Sequence, residues 1–295
     1  MSFFLQLVVS GITLGMIYAL VALGFVIILK CSQAFNIAQG HIVMIGGYLG
    51  YTFLAMFSLP IWASLLLAIA VAVVMGLLIE RLALRPLVGQ SELAIIMMTV
   101  ALASVFEGVA VLIWGAQYKA YHEVLPEVSL KLGEISVPPG SLIGLCVSVV
   151  TVVIFLLIFR YTKIGLAMRA TAEDLKVVQS VGISATTVYA VSWVIACVVG
   201  VIGGMLLGAV SGAAVQLSQI GLKAFAVVLL GGIDSIGGAI VAGIIVGVLE
   251  NVAAGYLDPI LPGGGLAQVF PFIVMLIVLI FRPYGLFGLA RIERI

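Results

Sequence analysis

The sequence predicts an all-α fold: a polytopic transmembrane helical bundle with about 8–9 spans, one or more of them short or broken. Composition is the first reason, since 64% of the 295 residues are hydrophobic and 8% are charged, whereas soluble domains carry about 25% charged residues. The second reason is a series of apolar runs near the roughly 20 residues that cross a bilayer. The third is glycine at every fourth position within several runs, which lets helices pack closely in lipid. We expect one membrane domain over residues 1–295.

The apolar runs divide the chain into candidate spans at about 5–29, 38–57, 61–84, 93–115, 141–159, 188–210, 236–254 and 266–281, with a shorter apolar piece at 224–230. Nine crossings result if the short piece belongs to a crossing, and eight if it is re-entrant. No Lys or Arg precedes Lys30, and the first run is longer than the apolar core of a secretion signal. We therefore expect a retained span there.

Basic residues predict the orientation, because cytoplasmic loops carry an excess of Lys and Arg. If loop 160–187 is cytoplasmic, ten of the 13 basic residues face the cytoplasm: Lys30, Arg81, Arg85, Arg160, Lys163, Arg169, Lys176, Arg282, Arg291 and Arg294. Lys119, Lys131 and Lys223 face outward. The N-terminus is then periplasmic and the C-terminus cytoplasmic, which requires an odd number of crossings. Segment 116–138 becomes a periplasmic loop, either plain or containing a small hairpin or an amphipathic element.

Loop 160–187 is polar between two apolar spans, and it has the signals of a short helix. Thr171, followed three residues later by Asp174, resembles a capping box, and Gly182 is a natural helix stop. Charged residues Arg169, Glu173 and Lys176 lie in or beside this segment. We expect a helix over 171–181 that contacts another protein. A solvated connector is the alternative interpretation.

Glycine spacing predicts helix packing faces, because residues four apart share one side of a helix. The glycines concerned are Gly11, Gly15, Gly200, Gly204, Gly208, Gly212, Gly243 and Gly247. Segment 229–238 (LLGGIDSIGG) is different, because four glycines and Asp234 interrupt an apolar stretch. Such backbone is typical of a broken helix lining a transport path, although a tight turn at the membrane surface has the same pattern.

Polar residues within the apolar runs are candidates for a translocation path. Asn36, Gln39 and His41 cluster where the second span begins, and Glu107 and Glu250 lie inside later spans. An ionised side chain at mid-bilayer costs roughly 2.5–3.5 kcal/mol, so neither carboxylate is expected to face lipid. An interfacial helix cap is the alternative for the first group. For Glu107, a structural hydrogen bond and a proton relay both remain open.

The sequence argues against an enzyme and against nucleic-acid binding. No catalytic constellation lies inside a span, and the net charge is only +1. The dipeptide Gly-Lys of a phosphate-binding P-loop does not occur, so any ATP must be bound by another chain. Cys31, Cys146 and Cys197 fit neither metal-site spacing nor a disulfide framework, and we interpret them as small packing residues. No cofactor is expected in this chain.

Four segments resemble the permease subunits of branched-chain amino acid ABC importers, the LivH/LivM type, with LivH the closer analogue. They are GITLGMIYALVALGFVI leading into FNIAQGHIVMIGGYLG, then GLAMRATAEDLKVVQSVGI, then LKAFAVVLLGGIDSIGGAIVAGIIVGVLEN, and the tail FRPYGLFG. The resemblance implies an ABC importer permease fold in a bacterial inner membrane. It also implies three kinds of partner: a second, similar or identical permease, two cytoplasmic ATPases, and a periplasmic binding protein.

By the same resemblance, helix 171–181 would be the coupling element that seats in a groove of an ATPase. Arg169, Glu173 and Asp174 would be its polar contacts, and Gly165 and Gly182 its hinges; Thr171 and Lys176 belong to the same segment. The chain departs from the family pattern at Gln39, His41 and Glu107, where the family often has His, Glu and Gln. The resemblance implies a branched-chain amino acid as the solute, and the departures leave open a similar small polar solute, such as urea, a short amide or an organic acid.

Two other classes of function are compatible with the composition. A proton-coupled secondary transporter would work alone and titrate Glu107 or Glu250. A passive channel for a small polar solute would need neither ATP nor a partner. A capped cytoplasmic helix favours the ABC permease, because neither alternative requires a helix that docks onto a partner protein.

Overall fold

The computed structural model describes residues 2–32, 35–87, 89–120, 130–132, 135–137, 139–173, 178, 184–260 and 265–288. Its helices are α1 (Ser2–Ser32), α2 (Gln39–Gly50), α3 (Ile61–Leu78), α4 (Glu92–Trp114), α5 (Pro139–Tyr161), α6 (Lys163–Glu173), α7 (Ala185–Ser211), α8 (Ile220–Gly231), α9 (Ile236–Leu257) and α10 (Leu266–Phe281). α2 continues as a π-helical turn, Tyr51–Met56, and α3 as another, Ile79–Leu84. Strands β1 (Leu130–Leu132) and β2 (Ile135–Val137) form an antiparallel hairpin.

The predicted all-α membrane bundle is confirmed. In the described part of the chain, six helices are long and apolar enough to cross a membrane: α1, α3, α4, α5, α7 and α9. The remaining apolar helices, α2, α8 and α10, are shorter. The apolar piece at 224–230 lies within α8. α1 is the most buried of the long helices, whereas α3, α4 and α5 are mostly exposed at the periphery.

Helices α1–α4 and α7–α10 form two repeats of opposite direction. α1 lies antiparallel to α9, since Leu7 packs at Gly255 and Gly15 at Gly243. The third helix of each repeat packs against the first helix of the other, α9 on α1 and α3 on α7. α1 ends beside α6, where Cys31 Sγ contacts the Met168 carbonyl. α7 begins at this end of the bundle as well. Inverted repeats of this kind are common in transporters.

Each repeat contains one half-length helix, and the two half-helices meet inside the bundle. α2 follows the non-helical segment 35–38, and α8 follows segment 212–219, which includes the 3-10 turn Val215–Gln219. Their first turns touch, since a Cβ on Gly221 would lie 2.5 Å from the Cα of Gly40. From this contact α2 runs parallel to α7, and α8 leads toward the α6 end of the bundle. The interior of the protein shields the irregular backbone from lipid.

Glycines make most of the close helix contacts. A Cβ on Gly11 would lie 2.6 Å from Val248 Cα, and one on Gly15 the same distance from Gly243 O. Gly247 packs back against Gly15. On the other side of the core, Gly204 of α7 faces the Val43 carbonyl of α2, and a Cβ on Gly200 would meet Gln39 and Ile42 at 2.9 Å. Gly208 is buried on α7.

Gly212 is not part of the packing ladder, contrary to the sequence prediction. It follows the last residue of α7 with φ +78°, and a Cβ there would collide with the Tyr118 ring. Its neighbour Ala213 pairs with Lys119 through two backbone hydrogen bonds of 2.9 Å. Gly212 therefore turns the chain back into the bundle, which is a helix-ending role.

The broken helix predicted around Asp234 is a tight turn. α8 ends at Gly231, and Gly232 adopts φ +103°. Ser235 then caps α9 by accepting a hydrogen bond from Gly238 N at 2.9 Å. Asp234 is exposed in the turn, so this glycine cluster shapes a connection at one end of the bundle.

Helix α6 lies mostly before segment 171–181, which the sequence predicts as a helix that starts at a Thr171 cap. Thr162 caps α6, because its Oγ1 accepts from Gly165 N at 3.0 Å. Thr171 is inside the helix and buried, and its hydroxyl donates to Ala167 O at 2.8 Å, so it is not a cap. Asp174, Lys176 and Gly182 lie outside the described residues.

Candidate functional site

The first turn of α2 carries a buried polar network. Asn36 and Gln39 are fully buried. Asn36 Nδ2 donates to Gln39 Oε1 at 3.0 Å, and Gln39 Nε2 donates to the Ala196 carbonyl at 3.1 Å. Helix α2 can start inside the bundle because Gly24 and Gly200 leave room for the Gln39 amide. The network therefore fixes the half-helix to α7.

His41 and Glu107 meet at the edge of this network. His41 Nε2 lies 3.4 Å from Glu107 Oε2, with 18% and 50% of the two side chains exposed. Thr99 ties α4 to the same segment, since its Oγ1 accepts from Ile37 N at 3.2 Å and lies 3.1 Å from Phe35 O. The half-helix start, His41 and Glu107 thus form one polar surface on the α4 side of the bundle.

Two buried polar atoms in this surface have no hydrogen-bond partner among the described residues. They are Asn36 Oδ1, an acceptor, and His41 Nδ1. A backbone helix start adds a positive dipole end to the same region. The region therefore combines hydrogen-bond acceptors, a carboxylate and a helix start.

Glu250 belongs to a second, enclosed cluster. Lys223 Nζ lies 2.6 Å from Glu250 Oε1 and 3.2 Å from the Ala267 carbonyl, and Tyr18 donates to Glu250 Oε1 at 3.2 Å. The side chains of Lys223 and Glu250 are 13% and 6% exposed. The cluster joins α1, α8, α9 and α10. Lys223 is consequently a core residue and not an outward loop residue.

The α6 residues divide into inward and outward groups. Gly165 packs against the last carbonyls of α5, and the Arg169 guanidinium donates to the Phe159 carbonyl. Glu173 is exposed in the last turn, with Lys163 and Leu166 earlier on the helix. The exposed group gives α6 a free face at the end of the bundle.

Comparisons with known proteins agree with this architecture. The family model described as "Branched-chain amino acid transport system / permease component" matches residues 7–279. The chain belongs to this family.

Individual members are similar over their whole length. The high-affinity branched-chain amino acid transport system permease protein BraD of Pseudomonas aeruginosa is 33% identical, over 99% of this chain and 98% of that protein. LivH of Escherichia coli K12 is 30% identical with the same coverage. A probable LivH of Methanocaldococcus jannaschii is 29% identical, over 91% and 88%.

One solved structure has a similar fold. PsaBC from Streptococcus pneumoniae, in complex with Fab, aligns with a TM-score of 0.53 over 97% of this chain and 94% of that chain. The identity is 12%, so the likeness concerns the fold alone.

The structure brings together only part of the predicted path. Asn36, Gln39, His41 and Glu107 share one region, whereas Glu250 is enclosed elsewhere and Asp234 is in an exposed turn. Sequence reasoning missed Thr99, Tyr18, Gly40 and Gly221. A Gly at the second position of each half-helix, following Gln39 and Ile220, was the available signal for Gly40 and Gly221.

Proposed function

We propose that this chain is the membrane-spanning permease subunit of an ABC importer that moves branched-chain amino acids, or closely similar zwitterions, into the cytoplasm. The family match over residues 7–279 carries the proposal. Relatives that are 30–33% identical over nearly the whole chain are named for this transport, which supports the substrate class. Energy comes from ATP bound by separate subunits, and the membrane is the bacterial inner membrane.

The solute path runs past the first turn of α2, along His41 and Glu107. A carboxylate that is half exposed on a membrane-spanning helix is unfavourable against lipid. A water-filled path or another protein surface must therefore cover it. The unpartnered Asn36 Oδ1 and His41 Nδ1 support a polar solute there.

A second permease subunit covers the α4 side of the chain. Ser104, Glu107 and Gly108 are exposed on successive turns of α4, so this face is more polar than a lipid-facing helix surface. Small residues also permit close approach of another helix. The path then runs along the seam between the two subunits, where both can contribute polar groups.

The α6 end faces the cytoplasm, and α6 transmits the motion of the ATPases. Ten basic residues on this side support the orientation; with Lys223 in the core, two remain on the other. The exposed face of α6 is the ATPase contact, with Glu173 as its acidic group and Asp174 and Lys176 following it. Gly165 lets α6 lie close to the end of α5, so a push on α6 moves a membrane span directly.

The direct test is purification in mild detergent followed by reconstitution. We expect a second permease and two ATPases to co-purify, and uptake of leucine into vesicles to require ATP and an added binding protein. Uptake by the chain alone, driven by a pH gradient, would instead establish a secondary transporter. Solute flux without any energy source would establish a channel.

The coupling role of α6 is tested separately. The Glu173→Lys, Asp174→Lys double variant reverses the acidic end of the helix, so we expect ATP hydrolysis to continue while uptake falls about tenfold or more. Glu92→Lys, a charge reversal in the exposed first turn of α4, serves as a matched control outside α6. Normal uptake by the double variant, with all subunits assembled, would contradict the coupling role.

A further inference from the structure

A pocket lies between the last turns of α5 and the middle of α6. Its volume is about 610 Å³, and it is lined by Leu156, Phe159, Arg160 and Arg169. The walls are apolar, and both polar side chains are guanidinium groups. The pocket is at the end of a membrane-spanning helix, where headgroups and acyl chains meet.

Contacts within α5 and α6 hold the two arginines in place. Arg169 donates to the Phe159 carbonyl, and its guanidinium carbon lies 5.5 Å from the Phe159 ring centroid. The Arg160 guanidinium lies 5.6 Å from the Tyr161 ring centroid. Among the described residues, neither guanidinium forms an ion pair with a carboxylate. Arg169 uses one donor on α5, and a guanidinium has five.

An apolar stripe leads away from the pocket along α5. Val149, Val153 and Leu156 are exposed and follow one helix face up to Arg160. The distance from Val149 to Arg160 is about 16 Å at 1.5 Å per residue. One leaflet of the hydrocarbon core is about 15 Å thick. An acyl chain on the stripe therefore brings its headgroup to the level of the two arginines.

We infer that this pocket binds one anionic phospholipid, with its phosphate between Arg160 and Arg169 and an acyl chain along the exposed face of α5. Guanidinium groups bind phosphate oxygens in bidentate pairs. Basic pockets between transmembrane helices on the cytoplasmic side bind anionic headgroups. The bound lipid bridges α5 and α6 at their junction. The inference rests on the proposed cytoplasmic orientation of the α6 end but not on the proposed transport role, so lipid binding and transport can fail separately.

The test measures lipid binding to the full chain, together with any subunits that co-purify, by native mass spectrometry. The probes are phosphatidylglycerol and phosphatidylcholine with the same acyl chains. We expect the wild type to bind phosphatidylglycerol at least about tenfold more tightly, because the choline ammonium of phosphatidylcholine offsets the charge of its phosphate beside the two guanidinium groups. Arg160→Gln should remove most of this preference, and Arg160→Lys should retain part of it. Equal binding of the two lipids by the wild type would overturn the inference.

Lys163→Gln is the matched control, because Lys163 is exposed near the pocket but does not line it. It should bind phosphatidylglycerol within about twofold of the wild type. An equal loss in Lys163→Gln and Arg160→Gln would mean general surface attraction and would overturn the site.

A second experiment does not depend on the folding of the arginine variants. A photo-crosslinking residue at position 156 is introduced into the complex in vesicles of equal parts phosphatidylcholine and phosphatidylglycerol. We expect crosslinks to phosphatidylglycerol. Crosslinks to a protein subunit, or to phosphatidylcholine with equal yield, would refute the lipid assignment.

Discussion

At the scale of single residues, the most constrained charge is the Glu250 carboxylate. Lys223 lies 2.6 Å from it, and the Tyr18 hydroxyl also donates to Oε1. Removing one member of a buried pair leaves an uncompensated charge, which is much more costly than removing both. The pair therefore specifies how α8 and α9 fit together, whether or not it adds net stability.

We predict strong coupling between these two positions. Lys223→Met and Glu250→Met should each lower the free energy of unfolding by about 3–5 kcal/mol. The double variant should lose less than either single variant, because no charge remains buried. Chemical unfolding in mixed micelles measures these values, and Lys163→Met is the exposed control. Additive losses in the double variant would show that the pair has no mutual stabilisation.

Glu107 is predicted to act on the solute and not on the fold. Its side chain is half exposed and 3.4 Å from His41, so Glu107→Gln preserves shape while removing charge. We expect KM for uptake to rise roughly tenfold, since a hydrogen bond to a charged group contributes about 1.5–3 kcal/mol. The matched control is Glu92→Gln in the exposed first turn of α4. The same KM in both variants and the wild type would exclude Glu107 from the path.

Sequence reasoning found polar residues but could not assign their environments. Glu107 and Glu250 look alike in the sequence, since each is a lone carboxylate in an apolar run. Only the fold shows that Lys223, 27 positions before Glu250, neutralises one of them, while the other meets a histidine at the surface. Long-range contacts of this kind leave no local pattern.

At the scale of helices, close backbone approach explains why α1 and α9 contain so many glycines. Gly11 and Gly15 meet Val248 and Gly243 with no space for a Cβ. The spacing of four predicts such a face from the sequence alone. It does not predict where a helix begins or ends, so Gly212 was assigned to the packing ladder and Thr171 to a helix cap, although Thr171 lies inside α6. Both errors arise because a cap depends on three-dimensional hydrogen bonding.

We predict that a single methyl group disrupts the contact of α1 with α9. Gly15→Ala places a Cβ 2.6 Å from a backbone oxygen that cannot rotate away, and overpacking costs about 1–3 kcal/mol. Gly237→Ala is the control, because no atom lies within 4 Å of its added Cβ. Thermal melting in detergent should show a lower Tm for Gly15→Ala. Unchanged melting in both variants would contradict the packing argument.

At the scale of the whole molecule, the two repeats give the bundle a symmetric interior. The half-helices α2 and α8 begin at one contact, Gly40 against Gly221, and diverge toward opposite ends. Each half-helix packs on the first helix of the other repeat. The sequence predicted short and broken elements, but it located the break at 229–238, where glycines are densest. The actual breaks, 35–38 and 212–219, contain one glycine between them, Gly212, so glycine density did not mark them.

The inverted arrangement fixes which loops share a side of the membrane. Lys163 and the exposed Asp234 belong to one end of the bundle, whereas Gln117 belongs to the other, beside the pairing of Lys119 with Ala213. In a variant with Cys146 replaced by Ser, we expect Gln117→Cys to react with an impermeant maleimide on intact cells. Lys163→Cys and Asp234→Cys should react only after permeabilisation.

Two other labelling patterns are informative. Labelling of both Asp234→Cys and Gln117→Cys on intact cells would contradict the inverted-repeat arrangement. Labelling of all sites opposite to this pattern would retain the fold and reverse its orientation, because the positive residues of loop 160–187 would then face outward.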